Sequence, residues 1–503
     1  MKIMQVTVEV ARVEAASAEV LVLLHCEGEA LVKQDTARLD TALDGALSTL
    51  VHSKEFEGKA NEVLLYHTQG KVPAKRVVLV GLGKKSEVTT ETIRQAMGSA
   101  AKRVRQTKVE SFSVALPTLR PEGMSSLDVA QAMVEGAILG SYQFTVYRSE
   151  AASGRDVAEM RMLIPMKAQS RQVTEGIRRG VATAEATVFV RDLCNHPSNV
   201  LTPTRVADEA KAIAKAEEIA ITILDRKEME RLGMGALLGV ARGSQEPPKF
   251  IILEYNGAKK KDARPVVLVG KTITFDTGGI SLKPAENMEH MKADMTGGAE
   301  VLASIRAAAR LKLPLRLISI LPVAENMPGG RAMKPGDIVT TLSGKTVEVQ
   351  NTDAEGRLIL ADGLAYAMRY NPVALIDIAT LTGACVVALG QFAIGMFGTD
   401  DTLKERVRKA GQKAGERVWE MPLWEEYFEQ LKSDVADMRN IGGRGGGMIT
   451  AALFLSKFVG DCPWVHLDIA STDWSERERA YIPKGPTAIG TRLLVQYLID
   501  RSL

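Results

Sequence analysis

The chain has 503 residues, of which 46% are hydrophobic and 25% charged. That is too long for one hydrophobic core and implies two domains, with the make-up of an ordinary soluble globular protein. Its 64 Lys+Arg against 61 Asp+Glu leave no basic excess of the kind a dedicated DNA-binding domain carries.

From the N-terminus, Met4 to Val10 alternates like a strand and lacks the apolar core of a signal peptide. Further strands are predicted over Ala18 to Leu24, Glu62 to Tyr66, Arg76 to Val80 and Phe112 to Leu116, with helices over Thr90 to Arg105 and Ser126 to Leu139. Residues 1–166 therefore read as an N-terminal α/β domain. They hold 20 Lys+Arg and 20 Asp+Glu, so the +3 charge of the chain lies beyond them. The run from Lys102 to Lys108 reads as a solvated helix face, with phosphate contact in a DNA-binding regulator as the alternative.

Residues 167–192 read as a long connecting helix, and 193–503 as a larger C-terminal α/β domain. Buried strands are expected at Phe250 to Glu254, Val266 to Val269, Leu315 to Leu321, Ala374 to Ile378 and Trp464 to Asp468. Helical patterns at Gly297 to Leu311 and Glu355 to Arg369 separate them. This alternation predicts a mainly parallel central sheet with helices on both faces. Ligands of such sheets gather outside the carboxyl ends of the strands, where Lys271, Thr380 and Ala470 fall. The most membrane-like stretch, Val373 to Gly398, contains Asp377, Gln391 and several glycines, so a strand, loop and helix fit it better than a membrane span. Four scattered cysteines form no CxxC pair and imply no disulfide framework. The expected location is cytoplasmic.

Two clusters concentrate the chemistry. Lys271 follows the buried run Val266 to Gly270, and Asp276, Lys283 and Asp294 follow within the next turns. Further on lies Asn351-Thr352-Asp353-Ala354-Glu355-Gly356-Arg357, at the entry to an apolar helix whose N-terminal dipole favours acids. Taken alone, the second cluster reads equally well as an acidic helix cap, and Lys271 as a lysine paired with an aspartate. Taken together, four carboxylates with almost no histidine fit a hard, oxygen-rich site for Mn, Mg or Zn. Their mutual repulsion favours two cations over one.

Lys271, Asp276, Lys283, Asp294 and Asn351 to Leu358 resemble the signature of the leucine aminopeptidase family, the M17 cytosolic metallopeptidases, and in particular the bacterial aminopeptidase A type. Val80 to Gly83, Arg191 to Leu193, Asn199 to Pro203, Ala324 to Gly336 and Ala379 to Ala384 also resemble family blocks. The resemblance implies an enzyme that releases N-terminal leucine and other apolar residues from short peptides by metal-bridged hydroxide attack. It implies two divalent ions per subunit, Mn2+ or Zn2+, with Asp276 and Glu355 touching both. Lys271 and Asp294 complete the tightly held site, and Asp353 the exchangeable one. Lys283 is expected to stabilise the oxyanion, and Arg357 to hold a bicarbonate acting as proton shuttle, since no side chain nearby offers a general base. The resemblance places Met291, Thr380, Leu381, Gly383 and Ala470 around the substrate side chain, and Ser471 stands where relatives commonly have glycine. It also implies a homohexamer.

Four other features invite competing chemistry. Gly81-Leu82-Gly83 lacks the third glycine of a dinucleotide fingerprint and reads as a plain turn, which leaves an oxidoreductase as a remote alternative. Gly344-Lys345-Thr346 lacks the first P-loop glycine. His466 and Asp468 share one strand face without a nucleophile elbow, so His466 reads as a core histidine. Cys194 and His196 are close in sequence, which is weak support for a thiol nucleophile.

Overall fold

The computed structural model describes residues 3–30, 35–117, 123–149, 157–260 and 262–502. The chain divides into two compact units. One comprises Met1–Val188 with Glu476–Lys484, the other Phe189–Ser475 with Gly485–Leu503.

The first unit holds six strands: β1 (Gln5–Val10), β2 (Leu21–Glu27), β3 (Val63–His67), β4 (Arg76–Lys84), β5 (Ser111–Ala115) and β6 (Glu159–Ile164). They pair in the order β1-β6-β5-β2-β4-β3, antiparallel only between β3 and β4. Val78, Val80, Phe112, Val114, Met160 and Met162 are fully buried in one core. Helices Thr90–Gln106 and Ser126–Gly140 pack on each other, each opened by a capping box, at Thr89 and Ser125. Gly81-Leu82-Gly83 is not the turn expected from its glycines, because β4 runs through it to Lys84. In the basic run, Lys102 Nζ is 2.7 Å from Glu478 and donates to Arg479 O at 2.8 Å, and Arg105 donates to Ser141 O. The helix Ser170–Asn195 runs for 26 residues.

The second unit is built on a nine-stranded sheet. Its strands are β7 (Ala220–Leu224), β8 (Lys249–Asn256), β9 (Val266–Gly270), β10 (Thr272–Asp276), β11 (Arg316–Asn326), β14 (Ala374–Ala379), β15 (Ile394–Gly398), β16 (Val418–Glu420) and β18 (Trp464–Asp468). A separate three-stranded sheet holds β12 (Ile338–Thr340), β13 (Thr346–Glu348) and β17 (Met438–Arg439). In the large sheet the order is β16-β15-β18-β14-β9-β11-β8-β7, with β10 paired to β11. The centre, β18-β14-β9-β11, is parallel throughout.

Central strands buried on both faces need near-continuous apolar runs, and Val266 to Val269 and Leu375 to Ile378, interrupted only by Asp377, supply them. One face carries helix Thr296–Arg310, whose Gly297 and Gly298 lie against Gly270. Helix Gly356–Ala367 packs on β9 and β11, with Gly363 against Val269, the neighbour that points the other way. Both helices are thus fixed to β9, and β9 delivers Lys271. The stretch Val373 to Gly398 is a strand, a short helix Gly383–Leu389 and a second strand. No helix among the described residues is long and apolar enough to cross a membrane.

Candidate active site

The four central strands end side by side, and each contributes at its carboxyl end. Lys271 follows β9, Asn326 ends β11, Thr380 follows β14, and Ala470 lies just beyond β18. Lys271 is 3% exposed. Its Nζ reaches Asp294 Oδ1 at 2.7 Å, Glu355 Oε1 at 2.9 Å and the carbonyl of Thr380 at 2.8 Å. Asp294 comes from the turn after Met288–Ala293, and Glu355 caps helix Gly356–Ala367. One ammonium therefore joins the two sequence clusters.

Asp276 is placed by an irregularity. The pairing of β10 with β11 shifts register after Ile273, and Asp276 then faces Asn326. Asn326 Nδ2 and Gly278 N each donate to Asp276 Oδ1 at 2.8 Å. The following turn requires glycine. Gly278 and Gly279 have φ of 83° and 67°, and a Cβ on Gly278 would lie 2.8 Å from Asp353 Oδ1. Lys283 returns from this turn to lie 2.9 Å from Asp276 Oδ2 and 2.5 Å from Asp353 Oδ1. Carboxylate oxygens of Asp276, Asp353 and Glu355 all lie within 4.8 Å of one another.

The electrostatics follow from this crowding. Burial lifts the Asp294 and Glu355 carboxyls above the usual range, and for both the other acids add to the rise. Asp353 rises for the same two reasons. Burial depresses Lys271 and Lys283, yet the carboxylates around them prevail and hold both ammoniums charged above the ordinary lysine value. Asp294 Oδ2 is buried without a hydrogen-bond partner. Convergent acids, with Asp294, Asp353 and Glu355 costly to ionise alone, together with an orphaned carboxylate oxygen, make a donor set that suits divalent cations.

Arg357, in the first turn of helix Gly356–Ala367, is buried and donates from Nη1 to Asn440 O at 2.9 Å. Its Nε is buried with no partner, and burial pulls the guanidinium down to about 10. Such a group suits a bound anion.

Of the residues assigned to the substrate side chain, Thr380 touches the cluster directly, its hydroxyl donating to Asp294 Oδ1 at 2.6 Å. Leu381 N and Ala470 N both donate to Asp468 Oδ1 at 3.2 Å, which draws the two loops together. Gly383 opens the helix Gly383–Leu389, with open space where a Cβ would stand. Met291 precedes Asp294 on the same turn. Ser471 is turned away, donating to Ala393 O at 2.7 Å.

Three organising residues escaped the sequence reading. Asn326 orients Asp276 and also holds Thr352 O at 3.0 Å. Asn440 accepts from Gln350 N, donates to Asn351 O at 2.6 Å and supplies the carbonyl for Arg357. Asp468 holds both substrate-side loops. Asn326 and Asp468 each carried a signal, as a polar residue ending an apolar strand.

The competing chemistries are resolved. His466 pairs with Asp377, Nδ1 to Oδ1 at 2.6 Å, and not with Asp468, which faces Thr382. Trp464 Nε1 holds the other Asp377 oxygen, so the group is core structure. Cys194 is buried against Thr296 and its thiol is pushed up to about 12 by burial, unfit as a nucleophile. Gly344 and Lys345 form the turn between β12 and β13.

Residues 188–495 match the catalytic-domain model of the cytosol aminopeptidase family, and residues 20–151 match that family's N-terminal domain. A probable cytosol aminopeptidase of Geotalea uraniireducens is 50% identical over 461 residues, 92% of each chain. One from Geobacter sulfurreducens is 47% identical over 98% of this chain and 99% of its own. Among solved structures, a mutant of tomato leucine aminopeptidase matches with a TM-score of 0.89 and 33% identity, over 99% of this chain and 96% of the other. The bottromycin maturation enzyme BotP in complex with Mn matches with a TM-score of 0.85 and 35% identity, over 97% and 100%. With both domain models matched and more than nine-tenths of each relative covered, the chain belongs to the cytosol aminopeptidase family and is a peptidase.

Proposed function

We propose that the chain is a cytoplasmic aminopeptidase that holds two divalent cations, Mn2+ or Zn2+, and releases N-terminal leucine and other apolar residues from short peptides. The observation that carries the reading is the convergence of Asp276, Asp353 and Glu355 within 4.8 Å. Asp276 and Glu355 would hold both cations, Lys271 and Asp294 would complete one position, and Asp353 the other. Bound cations would polarise the scissile carbonyl and lower the pKa of water.

The side chains around them do the rest. Lys283, held charged by Asp276 and Asp353, would donate to the developing oxyanion. Arg357, with its Nε unpartnered, would hold a bicarbonate that accepts the proton of the attacking water. Met291, Thr380, Leu381, Gly383 and Ala470 would receive the first side chain of the peptide, in a pocket kept roomy by Gly383. The DNA-binding alternative has less support, since within the basic run Lys102 and Arg105 are engaged inside their own unit.

The test is the requirement for a free N-terminus. Leucyl-peptides and leucyl anilides should be cleaved, and their N-acetylated forms should not. Activity should climb toward alkaline pH as the substrate amine, with a reference pKa near 8, loses its proton. Comparable cleavage of blocked or internal bonds overturns the proposal.

A further inference from the structure

A cavity of about 530 Å3 opens where helices Asp401–Ala414 and Thr491–Arg501 pack together. Arg406, Lys409, Lys413 and Arg501 line it, against the single carboxylate of Asp500. Asp500 is already satisfied: Lys413 Nζ reaches its two oxygens at 3.0 and 3.1 Å, and Gln496 Nε2 donates to it at 2.9 Å. Lys409 lies 3.6 Å from Glu405 on the exposed face of helix Asp401–Ala414. Arg406 and Arg501 line the cavity with no acid partner among the described residues.

Tyr497 also lines it, 1% exposed, with its hydroxyl buried and without a hydrogen-bond partner. Burial pushes the phenol up to about 12, against the pull of Arg501 and Arg406. It is therefore an O–H donor at neutral pH that lacks an acceptor. The aliphatic stems of the lysines and arginines add apolar wall to this charged site, whose volume suits a small molecule. None of these residues belongs to the carboxylate cluster.

We propose that this cavity is a second, non-catalytic site for a small organic phosphate monoester. Arg406 and Arg501 would grip the phosphate dianion, for which the guanidinium fork is well matched. The Tyr497 hydroxyl would donate to the same group, and the organic body would lie on the apolar wall.

The test titrates phenyl phosphate calorimetrically into the metal-loaded full chain at low salt, with inorganic phosphate and phenol as separate arms. Phenyl phosphate should saturate one site per chain and bind about tenfold more tightly than either arm. Arg406→Ala combined with Arg501→Ala should weaken it by about tenfold or more, with turnover of a leucyl substrate unchanged. Tyr497→Phe should weaken it about threefold while leaving the ligand-free melting temperature unchanged or higher, because an unsatisfied hydroxyl is removed. Absence of saturation in the millimolar range overturns the proposal. So does a titration the arginine variants leave intact, which puts the anion in the peptidase site. Equal affinity for inorganic phosphate overturns the assignment to an organic ligand.

Discussion

Lys271 sits as a cation among acids, with Asp294 and Glu355 both within 2.9 Å of Nζ. To ligate a divalent cation it must lose its proton, and the raised carboxyls must lose theirs, so metal affinity should fall as pH falls. Glu355→Gln should remove most activity and loosen both cations, because under the proposed assignment one charge would serve both positions. Asp353→Asn should preferentially empty one position. Metal analysis of each purified variant reads this directly, and two ions per chain with near-normal turnover in either variant rejects the ligand assignment. Lys283 and Arg357 separate in the same way. Lys283→Ala should lower turnover by roughly 100-fold, the scale of one lost oxyanion donor. Arg357→Ala should cost less and abolish the response to added bicarbonate. Equal, bicarbonate-independent losses rule out the anion shuttle. The residue types and most of these positions were legible in sequence, since charges at the end of a buried strand stand out. The roles of Asn326, Asn440 and Asp468 were not, because each acts through contacts with residues distant in sequence.

At the scale of elements, the site depends on how closely helix Gly356–Ala367 approaches Lys271. A Cβ on Gly356 would lie 2.6 Å from Lys271 Cε, closer than packed carbons tolerate. Gly356→Ala favours the helix by its propensity yet must displace the lysine. The expected outcome is a fold retained by circular dichroism and turnover reduced by about 100-fold, as for a small misplacement of catalytic groups. Unchanged turnover would show that the lysine position is not critical. Periodicity located this helix, predicted over Glu355 to Arg369 and found over Gly356 to Ala367. It did not locate β6, whose run Glu159-Met160-Arg161-Met162 places charges on one face of an interior strand.

At the scale of the whole molecule, the exposed surface bears on assembly. Several apolar side chains are exposed, among them Val387 at 90% beside the proposed substrate pocket, and Phe392, Trp419 and Trp424. A homohexamer is the assembly the resemblance implies, and it would cover apolar side chains of this kind where they form a contiguous patch. Light scattering is expected to give about six times 54.4 kDa, and a fully active monomer at 54.4 kDa would refute it.

The sequence by itself determined the class of the fold and the identity of the chemical groups. Apolar period sets strands and helices locally, and glycines and charges at strand ends mark where a chain must turn toward a ligand. Only the tertiary structure decided which groups meet. Lys271 reaches Glu355 because β9 and helix Gly356–Ala367 pack face to face, and Asp276 faces Asn326 because one register shift turns it there. The pairing of His466 with Asp377 is set by the register of β14 against β18. Strand order and register follow from the free energy of the whole core, which no local stretch of sequence contains.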